Sequence, residues 1–340
     1  MRVEEFDYNL PEELIAQVPI EPRDSSRLLV LNKHNGDISH DHFFNVGNYL
    51  KPGDVLVIND TKVLPARIYC TKDTGAVIEL VLIQQVDMCH WKALVRPGKK
   101  VLPGTKLNFT TPDLKAEVVE VVEEGMRLIR FDFNKDFFTI LDKVGQMPLP
   151  PYIKVPLQNQ GRYQPVYARE RGSAAAPTAG LHFTDELLAS LQKQGIIIAK
   201  VLLHVGLGTF RPVKVDVVEN HKMHAEYYHV DEENAKIIRN ARAAGGRVIS
   251  VGTTSTRTLE TVADVEGNVY AAMGWTEKYI YPGYDFKIID GLITNFHLPK
   301  STLLMLISAF AGKDNIMRAY KEAINERYRF FSFGDAMIIV

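Results

Sequence analysis

Four polar clusters in this 340-residue chain each follow an apolar run of the kind that forms a buried strand. Asn59-Asp60-Thr61 follows Val55–Ile58, and His204 closes the run that starts at Ile196, with Gly206-Leu207-Gly208-Thr209 just beyond it. Gly252-Thr253-Thr254-Ser255 follows Arg247–Val251, with Arg257 one turn further on, and Thr294-Asn295-Phe296-His297 spans the end of the run at Leu292-Ile293. In an open α/β sheet, ligands bind outside the carboxyl ends of the strands, so these four places are where chemistry is expected. His and Asp move protons, while Asn, Thr and Ser orient hydroxyls and amines. The stretch VGTTSTRTLE (Val251–Glu260) is the most legible. Successive hydroxyls and free N–H groups at a helix start favour a carboxylate, ribose or phosphate, against plain helix capping by Thr254 or Ser255.

Other clusters carry less. GLGTF (Gly206–Phe210) lacks the third glycine of a dinucleotide loop and runs into Arg211-Pro212, so a nucleotide-cofactor site is rejected there. His221, His224 and Glu226, or His40 and His42, are metal-ligand types without the helical spacing or third imidazole of a metal centre, and no metal is expected. His182, in AAPTAGLHFT, stands among small residues that let backbone approach a ligand or a packed sheet closely. The two cysteines, Cys70 and Cys89, are read as buried reduced thiols.

The elements that must position these residues fall into two textures. Between about Arg67 and Pro150, short β-prone runs (AVIELVLI, HWKALV, KLNF, AEVVEVV, MRLIRF) are separated by Pro-Gly turns, with no clear helix before Lys135, which predicts a small barrel or sandwich. Before that, RLLVLN and the Asn35-Gly36 turn predict a strand and hairpin, and Val55–Ile58 a strand buried on both faces. From Ala174 onward helix and strand alternate. Thr184, Asp231, Ser301 and Asp314 mark helix starts, Gly195 and Gly245-Gly246 mark stops, and Ala336–Val340 reads as a closing strand. The fold class is therefore α/β: residues 1–66 and 152–340 form a domain with a largely parallel sheet, interrupted by a small β-barrel over 67–151.

Composition narrows the function classes. The net charge is −1, and 46% hydrophobic against 24% charged residues is globular composition. Indiscriminate coating of nucleic acid is excluded, although a local basic face for one RNA is not. The longest nearly apolar run, Leu303–Ala311, falls well short of a bilayer span, and the acidic start lacks a secretory signal, so a cytoplasmic location without membrane contact is expected.

IAQVPIEPRDSSRLLVL (Ile15–Leu31), PGDVLVINDTKVLPARI (Pro52–Ile68), LVRPGKK (Leu94–Lys100), MPLPPYI (Met147–Ile153), AAPTAGLHFT (Ala175–Thr184), LHVGLGTFRPV (Leu203–Val213), HKMHAE (His221–Glu226), VGTTSTRTLE and YPGYDFKIIDGLITNFHLPKSTLLMLISAFAG (Tyr281–Gly312) run end to end in family order. The chain resembles the S-adenosylmethionine:tRNA ribosyltransferase-isomerases of queuosine biosynthesis.

The resemblance implies that S-adenosylmethionine is consumed as a ribosyl donor, with no cofactor, metal or prosthetic group. The acceptor is 7-aminomethyl-7-deazaguanine in the tRNA wobble position, and the products are epoxyqueuosine-tRNA, adenine and methionine. It also implies an α/β domain interrupted by a barrel, and a monomer is expected. The sulfonium acidifies the neighbouring 5′-methylene, so a positioned base can form an ylide that expels adenine. Asp60, His204, His182 and His297 are the candidate bases. Asn59, Thr61, Arg67, Thr253, Thr254, Ser255 and Asn295 are the candidate substrate-binding residues. Arg257 either holds the methionine carboxylate or pairs with Glu260 on its own helix. A methyltransferase would need a glycine-rich loop after an early strand, which this chain lacks. A non-catalytic RNA-binding module would show a larger basic excess or stacking aromatics.

Overall fold

In a computed structural model, residues 1–206 and 213–340 are described, apart from the Glu124 side chain. The Leu207-Gly208-Thr209 part of the glycine-rich cluster lies outside the described residues. In chain order the strands are β1 (Arg27–Leu31), β2 (Ile38–His42), β3 (Val55–Asn59), β4 (Thr61–Val63), β5 (Arg67–Lys72), β6 (Val77–Gln85), β7 (His90–Arg96), β8 (Lys106–Asn108), β9 (Leu114–Val121), β10 (Arg127–Phe133), β11 (Glu170–Ser173), β12 (Ile197–Leu203), β13 (Glu226–Val230), β14 (Val248–Val251), β15 (Ala272–Thr276), β16 (Gly291–Asn295) and β17 (Ala336–Ile339). The helices are α1 (Phe137–Val144), α2 (Asp185–Lys193), α3 (Glu232–Ala243), α4 (Gly252–Val262), α5 (Thr302–Ala311) and α6 (Lys313–Asn325).

The chain divides into two compact units. The larger comprises Met1–Thr61, Pro150–Glu170 and Pro177–Val340, and the smaller Lys62–Leu149 with Arg171–Ala176. β4 and β11 pair as a separate two-stranded sheet.

The larger unit is built on a nine-stranded sheet in the order β15-β13-β12-β3-β14-β16-β17-β1-β2. Its centre, β12-β3-β14-β16, is parallel, and β17 runs antiparallel to β16. Every residue of β3 is buried, as its unbroken apolar run requires of a strand covered on both faces. On one face Leu56, Ile58 and Val251 pack against Leu187, Leu188 and Leu191 of α2. On the other, Val55, Val57 and Val201 meet α3 and α4 through Ala235, Ile238 and Leu259. Toward β17, α5 and α6 bury Leu304, Ile307, Ile316 and Tyr320 over Leu292 and Met337. The helix starts follow the sequence chemistry: the side chains of Thr184, Asp231 and Ser301 accept the N–H groups of Leu187, Asn234 and Leu304.

The smaller unit is a closed six-stranded barrel, β10-β7-β6-β5-β8-β9. Ile68, Leu80, Trp91, Ile129 and Phe131 fill it, and Phe137, Ile140 and Leu141 of α1 join the same core. One expectation changes here. Cys70 is buried on the first barrel strand, β5, whereas Cys89 is only half-buried, because it sits in the turn before β7 rather than on an inward strand position. Among the described residues no helix is long and apolar enough to cross a membrane.

Asp54 ties the starts of β3 and β14 together. Its carboxylate accepts Lys51 N at 2.8 Å, Arg247 N at 3.0 Å and the Arg247 guanidinium at 2.6 Å. Burial pushes this carboxyl up, but the Arg247 ion pair and the main-chain donors outweigh it and leave it below its ordinary value. A depressed carboxyl contributes stability that is present above its unfolded pKa and lost as pH falls through the folded one. Asp54→Asn is therefore expected to lower stability by about 2 kcal/mol at pH 7. Urea unfolding at pH 7 and below pH 4 checks it: the deficit shrinks in acid, and equal deficits at both pH values would exclude the ion pair as its source.

Candidate active site

Because β3, β12, β14 and β16 are parallel, Asn59, His204, Gly252 and Asn295 emerge at one edge of the sheet. Asn59 spends its amide on main chain. Its Oδ1 accepts Leu203 N at 3.1 Å and Thr61 N at 3.2 Å, and its Nδ2 donates to Leu203 O at 2.9 Å. It thus clamps the end of β12 to the end of β3. Thr61, fully buried, puts its hydroxyl 2.8 Å from His204 Nδ1, and the His204 ring stacks on Tyr227 with centroids 5.9 Å apart. Burial lowers His204 to about 4, so its imidazole is neutral near pH 7 with Nε2 unengaged among the described residues.

A chain of hydrogen bonds starts at Phe331. Its main-chain carbonyl can only accept, so the group 3.1 Å away must be Asn295 Nδ2, which fixes the orientation of that amide. The same Nδ2 lies 3.2 Å from His182 Nε2, which must then be the unprotonated nitrogen. His182 Nδ1–H accordingly donates to Ser26 Oγ at 2.8 Å. His182 also stacks on Phe43, and burial lowers it to about 3. Both ring nitrogens are engaged by protein. What the chain leaves open is Asn295 Oδ1, a buried acceptor with no partner among the described residues.

The start of α4 supplies the next open groups. Gly252 takes φ +83, a left-handed conformation that glycine adopts without strain, and the helix begins there directly, with no side-chain cap. The hydroxyls of Thr254 and Ser255 therefore do not cap it, contrary to the simpler sequence reading. Both are buried and unpartnered among the described residues, whereas Thr256 and Thr258 bond within the protein. Thr253 is buried beside them.

Arg257 does not pair with Glu260. It forms a fully buried ion pair with Glu226 of β13 and donates Nε to Lys278 O at 2.9 Å. Glu260 is occupied elsewhere, by Tyr284 OH and the N–H groups of Lys287, Ile288 and Ile289. The other oxygen of Glu226 accepts Gly206 N at 2.8 Å, which joins α4 to the chain leaving β12. Arg257 Nη2 remains a buried donor without a partner among the described residues.

His297 is bound into the core. Its Nε2 lies 2.8 Å from Thr294 Oγ1, its N–H donates to Tyr320 OH, its carbonyl accepts Tyr8 OH, and burial lowers it to about 3. Asp60 instead faces a cavity of about 560 Å³ together with Arg169, Lys200, Leu202, His229 and Asp231. Burial raises its carboxyl above the ordinary value, against the pull of Lys200. Arg67 stands in the barrel unit, on β5, with Nε 3.1 Å from Glu79. Sequence reasoning missed Ser26, Tyr227 and the Phe331 carbonyl, and it weighed Glu226 only as a metal ligand. The DSSR stretch holding Ser26 was in view, but only the fold reveals its partner.

Two comparisons bear on this arrangement. Residues 3–339 match the family model described as queuosine biosynthesis protein. The chain is also similar to the crystal structure of an S-adenosylmethionine tRNA ribosyltransferase from Thermotoga maritima. The two are 43% identical over 99% of this chain and 100% of that one, with a TM-score of 0.58. With a sheet edge of open polar groups and a family match over nearly its whole length, this chain belongs to the queuosine biosynthesis protein family.

Proposed function

We propose that this protein transfers and isomerises the ribosyl part of S-adenosylmethionine onto 7-aminomethyl-7-deazaguanine in the tRNA wobble position, giving epoxyqueuosine-tRNA, adenine and methionine. The observation that carries the reading is a set of buried polar atoms on α4 and β16 without partners among the described residues: Thr254 Oγ1, Ser255 Oγ, Asn295 Oδ1 and Arg257 Nη2. Each such atom costs about 1–3 kcal/mol unless something pairs with it, and a ligand is the economical partner. Two hydroxyls and an amide oxygen suit ribose and an ammonium, and a guanidinium N–H suits the methionine carboxylate.

His204 is the proton acceptor in this reading. A neutral imidazole is required beside a cationic sulfur, and of the three histidines at the site only His204 keeps a ring nitrogen open without being fully enclosed. Removal of the 5′ proton gives the ylide, the ylide electrons expel adenine, and the aminomethyl group of the tRNA base adds to the resulting unsaturated sugar. Ring rearrangement then releases methionine. Asp60, a carboxylate whose value burial raises, holds the incoming amine by charge. His182 orients Asn295 and exchanges no proton. The sulfonium supplies its own activation, so the reading asks for no cofactor.

Incubation with tRNA bearing the deazaguanine base is expected to give adenine and methionine in equal amounts, measured by chromatography. Formation of S-adenosylhomocysteine would mean methyl transfer and end the reading. Exchange of the 5′ protons with deuterated solvent separates the roles. His204→Gln is expected to lower exchange and turnover together by about 10²–10⁴-fold, whereas Asp60→Asn lowers turnover and leaves exchange within a few-fold. The reverse pattern would make Asp60 the base. The acid limb of kcat/KM tests the same assignment through its sign. With His204 lowered to about 4, activity persists as pH falls from 7 to 5 and declines only below that. An inflection near 6.5 would belong to an ordinary histidine and contradict it.

A further inference from the structure

One face of the sheet margin continues outward from His204 with no role in the chemistry above. His204 N donates to Tyr227 O at 2.9 Å, and in the antiparallel register Tyr227 lies opposite Trp275 while His229 lies opposite both Leu202 and Met273. Directly opposite residues project to the same face. His204, Tyr227 and Trp275 therefore form one row across β12, β13 and β15, and Leu202, His229 and Met273 form the next. The rings touch in sequence: His204 stacks on Tyr227, and Trp275 meets Tyr227 edge-on at 5.8 Å. The alternate positions Glu226 and Val230 are buried, Val230 beneath α3, so helix packing takes the other face.

This row is exposed where it ends. Met273 is 67% and Trp275 57% exposed, on the outermost strand. The second tryptophan of the chain, Trp91, is buried in the barrel, as a large apolar ring ordinarily is. The second row ends in the cavity that holds Asp60, Lys200 and Arg169. The exposed surface is thus aromatic and continuous with the proton acceptor, and its inner end opens on a cavity lined by charges of both signs.

Resting on the function proposed above, we infer that Tyr227, Trp275 and Met273 form a stacking shelf for the unpaired anticodon-loop bases beside the wobble nucleotide. For the aminomethyl group to reach His204 and Asp60, the wobble base must leave its stack, and its neighbours lose a partner. Proteins that read RNA loops replace that lost stacking with aromatic side chains. The row offers flat apolar surface in line with the reacting base, so the bases on either side of it lie on Trp275 and Met273 while the wobble base passes inward over Tyr227.

Steady-state kinetics with an anticodon stem-loop carrying the deazaguanine base test this in the full-length protein. Trp275→Ala is expected to raise KM for the RNA about 10-fold, to lower kcat less than about 3-fold and to leave KM for S-adenosylmethionine in place. Trp275→Phe should restore most of the RNA affinity, and Met273→Ala should cost a few-fold. Tryptophan emission of the wild type should be quenched by the RNA, and Trp275→Phe, which retains only Trp91, should show no quenching. A loss of kcat at unchanged RNA KM would mean that Trp275 acts only by propping His204 and would overturn the shelf. So would wild-type emission that stays constant at saturating RNA. A concentration-dependent dimer in sedimentation that Trp275→Ala dissolves would assign the face to a second copy instead. A wild-type enzyme that turns over no RNA at all would count against the proposed function, not the shelf.

Discussion

A main-chain carbonyl has no choice of role, and the Phe331 carbonyl uses that to set the site behind it. Because it only accepts, it fixes which end of the Asn295 amide faces it, the amide fixes which nitrogen of His182 is bare, and His182 points its proton at Ser26. Four segments distant in sequence are held by three hydrogen bonds: the turn after α6, the end of β16, the short helix before α2, and the entry to β1. A neutral histidine with no spare nitrogen serves here as a rigid spacer. Its depressed basicity is what keeps the chain from rearranging at neutral pH. Losing the Phe331 carbonyl contact would free the Asn295 amide to turn and bring a donor where the structure now presents an acceptor.

The second constraint is the buried pair of Arg257 and Glu226. Such pairs seldom stabilise a fold over an apolar alternative, because both charges must shed water. What this one does is geometric. It joins the first turns of α4 to β13 and, through Gly206 N, to the chain leaving β12, so three of the elements that bound the site move as one. Glu260, two turns along the same helix, holds the 284–289 segment by four donors and secures the other side of α4.

These arrangements carry a cost in stability. Buried polar atoms on α4 and β16 that lack partners among the described residues burden the protein, and in the function proposed above bound substrate would pair with them. The parallel sheet tolerates this because its centre is dry and buried on both faces, with Asn59 closing the β3–β12 edge by main-chain hydrogen bonds. Rigid strands and a polar rim at their carboxyl ends are complementary parts of one design.

Much of this was legible in the residues. The continuous apolar runs of β3, β12 and β14 and the caps at Thr184, Asp231 and Ser301 report on local physics, which depends on neighbours in sequence. The barrel strands could be read from turn spacing for the same reason. The polar strand ends were legible as well, since position at a carboxyl end follows from strand direction alone. What sequence could not specify is which polar atoms remain open. Thr254 looks like a cap, Arg257 like a partner for Glu260, and His182 like a base, because each has a plausible neighbour within one turn. Tertiary structure decided otherwise: the left-handed Gly252 lets α4 begin without a cap, Glu226 on a strand 31 residues away takes Arg257, and Ser26 and Asn295 take both nitrogens of His182. Hydrogen-bond partnership between distant segments is set by how the sheet is ordered. The antiparallel margin β13–β15, which aligns His204, Tyr227 and Trp275, comes into being only when those strands pair.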